Sequence, residues 1–268
     1  MDSFDSAVAL QPAGEGRLSW TVPDGWQQGR GAWGGLVVGA MARAVVASEP
    51  DHDRILRSVT AELVAPAVAG EHTIDVACVR RGSAVSTWKA VLTDEGDRTV
   101  AVMTAVLGAT RRVDPAPDYD AWQTVAPPPA PAPDGLPSID LTGLGGPVFM
   151  RHIDMRPVSG IPGEGRRPEA VGWVSLREAV PMDATALVAL VDAWWPAGLV
   201  AMTALRPIAT VAFAANLVMD PVDVPSGPLL HHSFVTAAAE GFTSEVRRLW
   251  TPDGRLVVDN LQSIVLIS

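Results

Sequence analysis

The stretch Thr185–Trp195, TALVALVDAWW, carries a single ionisable side chain, Asp192. A carboxylate in such surroundings loses hydration, which raises its pKa and makes it a better base. The plainer reading is an acid on a small exposed stripe, or one hydrogen-bonding near a helix C-terminus, where it would oppose the helix dipole. Gln262 lies in LVVDNLQSIVLI, and period-two counting sets it on one face with Leu256, Val258, Ile264 and Leu266. An unpaired buried amide costs about 1–3 kcal/mol, so Gln262 must have a partner. It can both donate to and accept from a water, although Asn260 on the same face is an alternative, structural partner. Thr210, in IATVAFAANLVM, is by itself an ordinary strand residue. Gly34 and Gly35 open a helix-like run just after Trp33. Helix-start amides of this kind bind anions and can polarise a carbonyl oxygen, or the glycines serve only close packing. Together these residue types suit the attack of an activated water on a carbonyl.

Other chemistries find less support. Gly29–Gly34 satisfies G-x-G-x-x-G, with Asp51 and Asp53 about twenty residues on, but no apolar strand leads into it and consecutive strands follow the helix. There is no G-x-S-x-G elbow for a serine hydrolase. His231 and His232 fall on opposite faces of a strand, and neither has an acid or cysteine at metal-ligand spacing. The lone Cys78 excludes an internal disulfide and a cysteine zinc site. Neither a metal nor an organic cofactor is expected. The net charge of −10 argues against nucleic-acid binding. The doublets Arg80–Arg81, Arg111–Arg112 and Arg247–Arg248 read as solvated strand-end charges. No apolar run reaches the ~18–20 residues of a membrane span, and the acidic N-terminus lacks a signal peptide's basic region. A cytoplasmic, non-membrane protein is therefore expected. The nine tryptophans are assigned to core and pocket lining.

The elements that must position these residues form a repeat. Eight prolines fall in the 23 residues from Pro115 on, so residues 114–146 are expected to be a linker between repeats at 1–113 and 147–268. In the first half, GGLVVGAMARAVVAS (Gly34–Ser48) is helix-like and closed by Glu49-Pro50. Four strand-like runs follow, ILRSVTAELVA, EHTIDVACVR, AVSTWKAVLTD and RTVAVMTAVLG, the last two joined by a Glu95-Gly96-Asp97 turn. The second half repeats this with a helix over Met182–Trp195, ended or kinked by Pro196. Its runs are IATVAFAANLVM, LLHHSFVTAAA, FTSEVRRLWT and RLVVDNLQSIVLI, with a turn at Pro252-Asp253-Gly254. Strand-like RLSWTV and VFMRHIDMR precede the two helices. A helix followed by four strands predicts an antiparallel sheet curled around a buried helix, twice over: an α+β double hotdog. Aligning the two hairpin turns sets Thr104 opposite Gln262, and the first helix has no acid before Glu49. The first repeat is thus expected to supply binding surface and the second the polar site.

Against that pattern, AWGGLVVGAMARAV, ELVAPAVAGEHTIDVACVRRGSAVSTWKAVL, IDMRPV, LVALVDAWWPA, RPIATVAFAANLVM and PDGRLVVDNLQSIVLIS resemble the TesB-like (acyl-CoA thioesterase II) double-hotdog thioesterases. The resemblance covers the chain apart from the linker and roughly the first dozen residues. It implies hydrolysis of an acyl-CoA to free acid and CoA, by a water that Asp192, Thr210 and Gln262 hold and activate. Gly34, Gly35 and Trp33 would then form the oxyanion and substrate-binding end. The chain departs from the pattern at Val211-Ala212-Phe213, where relatives carry an Asp-His pair, and at Trp33, which replaces a phenylalanine. An acyl-CoA substrate and a homodimer are the expected partners. Two alternatives stay open: a hotdog hydratase or dehydratase, which would want an Asp and a His on one helix, and a non-catalytic acyl-CoA binder.

Overall fold

The computed structural model describes residues 3–111, 113–178 and 180–267; Met1, Asp2, Arg112 of the second arginine doublet, Ala179 and Ser268 lie outside the described residues. Helix α1 (Phe4–Ala7) opens the chain, its first turn capped by the Ser3 hydroxyl, and buries Phe4 and Ala7. Strands β1 (Gln11–Gly14) and β2 (Arg17–Val22) follow, then the two-residue ribbon strands β3 (Gln27–Gln28) and β4 (Gly31–Ala32). Helix α2 spans Gly34–Ser48, the predicted bounds, with Glu49 turning into extended backbone as its C-cap. Leu36, Val38, Met41 and Val45 are fully buried, each contributing roughly 1.5–3 kcal/mol. Strands β5 (Arg54–Leu63), β6 (Gly70–Arg81), β7 (Val85–Asp94) and β8 (Thr99–Ala109) complete the first repeat.

A short helix α3 (Tyr119–Trp122) lies in the proline-rich stretch, which runs over the outer face of the second repeat. There Val125 and Leu136 pack on Trp173 and Trp250, and the Trp173 indole donates to the Pro131 carbonyl at 2.8 Å. The second repeat contains β9 (Ile153–Ser159), β10 (Glu169–Leu176), α4 (Ala184–Leu190), α5 (Gly198–Ala201), β11 (Ile208–Leu217), β12 (Leu229–Ala239), β13 (Phe242–Trp250) and β14 (Leu256–Leu266).

The large sheet has twelve strands in the order β1-β2-β6-β7-β8-β5-β11-β14-β13-β12-β10-β9, all antiparallel. Each repeat supplies six, and the repeats meet where Ala212–Asn216 of β11 pair with Ser58–Glu62 of β5. The curled sheet holds α2 and α4 packed against each other, the double hotdog expected from sequence.

The repeat extends to its irregularities. The register shifts between Leu56 and Ser58 against β8, and between Thr210 and Ala212 against β14. It shifts again between Cys78 and Arg80, and correspondingly between Val235 and Ala237. A bulge sends the residues beyond it to the other face, so four matching shifts fix the alignment of the repeats. Leu56 is equivalent to Thr210. Trp88, paired with Cys78, is equivalent to Glu245, paired with Val235. Ala105, opposite Trp88, is equivalent to Gln262, opposite Glu245. The expected match of Thr104 with Gln262 is therefore one residue out. Thr104 is exposed on the outer face; the two hairpin turns pair alike, but the left-handed place that Gly254 fills in the second is taken in the first by Asp97, not Gly96, so matching the turn glycines slips the alignment by one.

Two other expectations need correction. The second helix ends at Leu190 instead of Trp195: the amides of Asp192 and Ala193 bond three residues back, to Ala189 and Leu190, and the helical ladder stops. In the VFMRHIDMR run, the first five residues form a 3₁₀ turn, and the strand begins at Ile153.

Candidate active site

Position by position, the inward face of the second repeat substitutes polar groups for the core of the first. Buried Leu56, Ile74, Val76, Trp88, Ala90, Met103 and Ala105 become Thr210, His231, Ser233, Glu245, Arg247, Asn260 and Gln262. Asp192 sits over this patch on the turn that follows α4, and is only 8% exposed.

The polar groups form one chain. Gln262 Nε2 donates to Asp192 Oδ1 at 2.9 Å and to Asn260 Oδ1 at 3.0 Å. Thr210 Oγ1 donates to Gln262 Oε1 at 2.9 Å. Asn260 Nδ2 in turn donates to the Ala214 carbonyl at 2.8 Å, which fixes the amide planes from the strand below. The three residues singled out in the sequence are therefore brought together, and the Asn260 partner read as an alternative is present as well. Asp192 lies just past the helix, not inside it as the sequence suggested.

From the other side, α2 presents its N-terminus. The N–H of Gly35 faces the Asp192 carboxylate, so the anion at this helix end is a side chain of the protein itself. A Cβ at Gly34 would stand 3.1 Å from Asp192 Oδ2, and one at Gly35 would meet the Trp33 ring at 2.4 Å and the Ala189 carbonyl at 2.6 Å. Both glycines thus serve a close approach, and the Gly35 amide expected to polarise a substrate carbonyl is already engaged. Trp33 is likewise not an exposed contact. It is fully buried, stacked on Phe149 at 4.7 Å, and its Nε1 donates to the Asp192 carbonyl oxygen at 3.2 Å. Its indole replaces a backbone partner that Asp192 loses where the helix breaks.

Sequence reading missed Glu245 and Arg247. Arg247 is 1% exposed, so only Arg248 of that doublet behaves as a surface charge, paired with Asp259. Arg247 Nη1 reaches Asp192 Oδ1 at 3.2 Å, the Asp192 carbonyl at 3.3 Å and the Trp194 carbonyl at 3.2 Å. Its Nε donates to Glu245 Oε1 at 2.8 Å, and Glu245 Oε2 accepts from the Ala197 amide at 2.8 Å. The signal that would have exposed them is the spacing of Glu245, Arg247 and Leu249, which alternates with the outward residues.

Burial pushes the Asp192 carboxyl above its ordinary range, against the pull of Arg247, Gln262 and the Gly35 amide. Burial raises Glu245 in the same way, opposed by Arg247. Two carboxylates thus share one guanidinium. His231, stacked on Trp194 at 5.2 Å, is held well below its ordinary value by burial and then by the Arg247 charge, so it is neutral at pH 7. His232 faces outward to Glu169 at 2.9 Å, as the strand alternation required. Among the described residues no group of three or more His, Cys, Asp or Glu side chains could hold a metal ion, and no helix is long and apolar enough to cross a membrane.

Two family models cover most of the chain: an acyl-CoA thioesterase N-terminal domain over residues 22–108 and an acyl-CoA thioesterase C-terminal domain over residues 118–266. The chain belongs to the TesB-like acyl-CoA thioesterase family. Among solved structures, a hotdog-fold protein of unknown function from Alicyclobacillus acidocaldarius matches with a TM-score of 0.90 at 23% identity, over 99% of this chain and 98% of that one. A putative thioesterase II from Thermobifida fusca matches at 0.82 and 23%, over 99% and 97%. An acyl-CoA thioesterase II from Mycobacterium marinum matches at 0.75 and 18%, over 99% and 98%. At these identities the structural likenesses establish the double hotdog fold. Among curated proteins, none matches the chain. Within this family setting, the polar patch under Asp192 lies in the C-terminal domain; the equivalent positions of the N-terminal domain hold apolar side chains and Trp88, whose indole donates to the buried Glu49 at 3.0 Å.

Proposed function

We propose that the protein hydrolyses an acyl-CoA thioester to the free acid and CoA, with Asp192 as general base. The observation that carries this reading is the Thr210–Gln262–Asp192 hydrogen-bond chain, at positions whose counterparts in the first repeat, Leu56 and Ala105, are apolar.

A water lodged between the Asp192 carboxylate and the Thr210 hydroxyl loses its proton to Asp192 as its oxygen attacks the thioester carbonyl. The tetrahedral oxyanion collapses by breaking the carbon–sulfur bond. The proton on Asp192 then goes to the departing thiolate, so acid and thiol leave and the carboxylate is restored. Raised basicity suits Asp192 to the first transfer. Gln262 cannot ionise; it fixes Oδ1 and ties the base to the hydroxyl that aims the water. The Gly34 amide, beside the engaged Gly35, is the donor at the helix start for the developing oxyanion. Thiolate is a good leaving group, and no covalent intermediate is required.

One observation favours a second reading: Asp192 is nearly closed over and ion-paired with Arg247, as would suit a non-catalytic acyl-CoA binder. A hydratase is disfavoured, because α4 and the turn after it carry no histidine. Thiol release from short, medium, long and aromatic acyl-CoAs separates the readings. The proposal requires turnover of at least one class; ligand binding with no release from any would leave the binder.

A further inference from the structure

We propose that Arg247, held in place by Glu245, is the positioning residue that clamps the chain where α4 ends ahead of Pro196 and fixes Asp192 as the base; this rests on the hydrolytic reading of Asp192.

The comparison of the two repeats carries the inference. In the first, α2 runs fifteen residues from Gly34 to Ser48, over a sheet face with Trp88 and Ala90 at the relevant positions. In the second, α4 runs seven and stops, and the same two positions are Glu245 and Arg247. A broken helix end leaves carbonyls without amide partners, and arginine can supply donors to them. One Arg247 nitrogen does so twice, at the Asp192 and Trp194 carbonyls, while also reaching Asp192 Oδ1. Glu245 anchors the guanidinium on its far side and, through the Ala197 amide, ties the restart of the chain at α5 to the same clamp. The clamp thus spans the non-helical segment from Asp192 to Ala197 at both ends. A helix continued through this segment would carry the Asp192 carbonyl away from both the Trp33 indole and Arg247.

Such a clamp must also set the charge state of the base. Among the described residues, the titratable or charged groups around Asp192 are Arg247 and Glu245 from β13 and His231 from β12. Helix α2 presents backbone amides, while β11 and β14 present the uncharged Thr210, Gln262 and Asn260. Removing the negative charge of Glu245 leaves Arg247 wholly to Asp192, which favours its ionised form. Removing Arg247 disfavours that form.

The test is the pH dependence of kcat/KM for Glu245→Gln and for the double variant Arg247→Met/Glu245→Gln. The double variant avoids stranding Glu245 as a second buried carboxylate without a partner. Carboxyl ¹³C NMR titration of Asp192, assigned through Asp192→Asn, runs alongside, with thermal unfolding to establish that each variant is folded. The acid limb should move to lower pH in Glu245→Gln and to higher pH in the double variant, which should also lose tenfold or more at the plateau. Limbs that coincide with wild type, or that move together, in folded variants would overturn the proposal. If wild type releases no thiol from any acyl-CoA, the hydrolytic reading fails by itself. The NMR titration still decides the clamp: opposite displacements of Asp192 support it, and unmoved or parallel titrations sink it.

Discussion

Asp192 has an environment that burial makes hostile to its charge, and its removal should separate activity from stability. General-base catalysis contributes typically 10²–10⁴-fold, so Asp192→Asn should lower kcat by about that factor with KM little changed. The substitution should also raise the melting temperature. Because the folded carboxyl is pushed above its ordinary value, the native state holds the proton more tightly than the unfolded chain. Stability therefore falls as pH rises from the ordinary carboxylate range through the folded value. Asparagine removes that cost while its amide oxygen still accepts from Gln262, and calorimetry at pH 7 should register a rise of about 2–4 °C per kcal/mol recovered. An unchanged or lowered melting temperature would contradict the argument. Asp192 and Gln262 were legible in the sequence because each is a polar residue on an apolar background. Arg247 was not, because half of an arginine doublet looks solvated until its acceptors are seen, and those lie 53 and 55 residues away along the chain.

At the scale of elements, the meeting of α2 with α4 decides whether Asp192 reaches the helix start. Gly35→Ala would force a methyl against the Trp33 ring and the Ala189 carbonyl, at 2.4 and 2.6 Å. The helices must separate, and both folding stability and thiol release should suffer, with a loss of about 1–3 kcal/mol in denaturant unfolding. Gly39→Ala, one turn on, meets nothing closer than 3.5 Å. It should be neutral or stabilising by up to about 1 kcal/mol, because alanine is the better helix former. Equal effects at the two sites would refute the packing argument. The bounds of α2 were legible from its glycine start and Glu49-Pro50 stop. The end of α4 was not, because Ala193–Trp195 continues an apolar pattern up to Pro196, whereas the helix stops at Leu190 and the Asp192 carbonyl, which Pro196 has no N–H to meet, takes its donors from Trp33 and Arg247. Strand β10 escaped notice for a related reason. Both its faces are covered, one by the linker through Trp173 and one by Trp194, for whose ring Gly172 makes room, so the alternation that marks a half-buried strand is absent.

For the whole molecule, the β5·β11 pairing makes one sheet of two repeats. Residues 1–113 expressed alone would bare the β5 edge, an invitation to pairing between chains. Light scattering should find that fragment dimeric or aggregated, and a stable monomer would count against the junction. The buried, neutral His231 gives the fold a second global property. Its depressed folded value means the unfolded chain takes up a proton first, so stability should fall as pH drops below about 6.5. His232, lowered by burial although Glu169 opposes it, adds to the same trend. His231→Phe, which keeps the stack on Trp194, should flatten the melting temperature between pH 6.5 and 5. The duplication itself was legible in the sequence as two helix-then-strands halves around a proline-rich stretch. Its register was not, since the left-handed residue of the first hairpin turn is Asp97 where the second has Gly254, and the glycine beside it, Gly96, draws the alignment one residue off.

The central claim, hydrolysis by a water that Asp192 activates, is tested most directly by thiol release from the best acyl-CoA substrate, with wild type and Asp192→Asn measured side by side and binding of the same ligand followed in both. The account predicts a loss of at least a hundredfold in turnover by a folded variant that binds as wild type does. Turnover retained in Asp192→Asn, or no thiol release by wild type from any acyl-CoA, would contradict it.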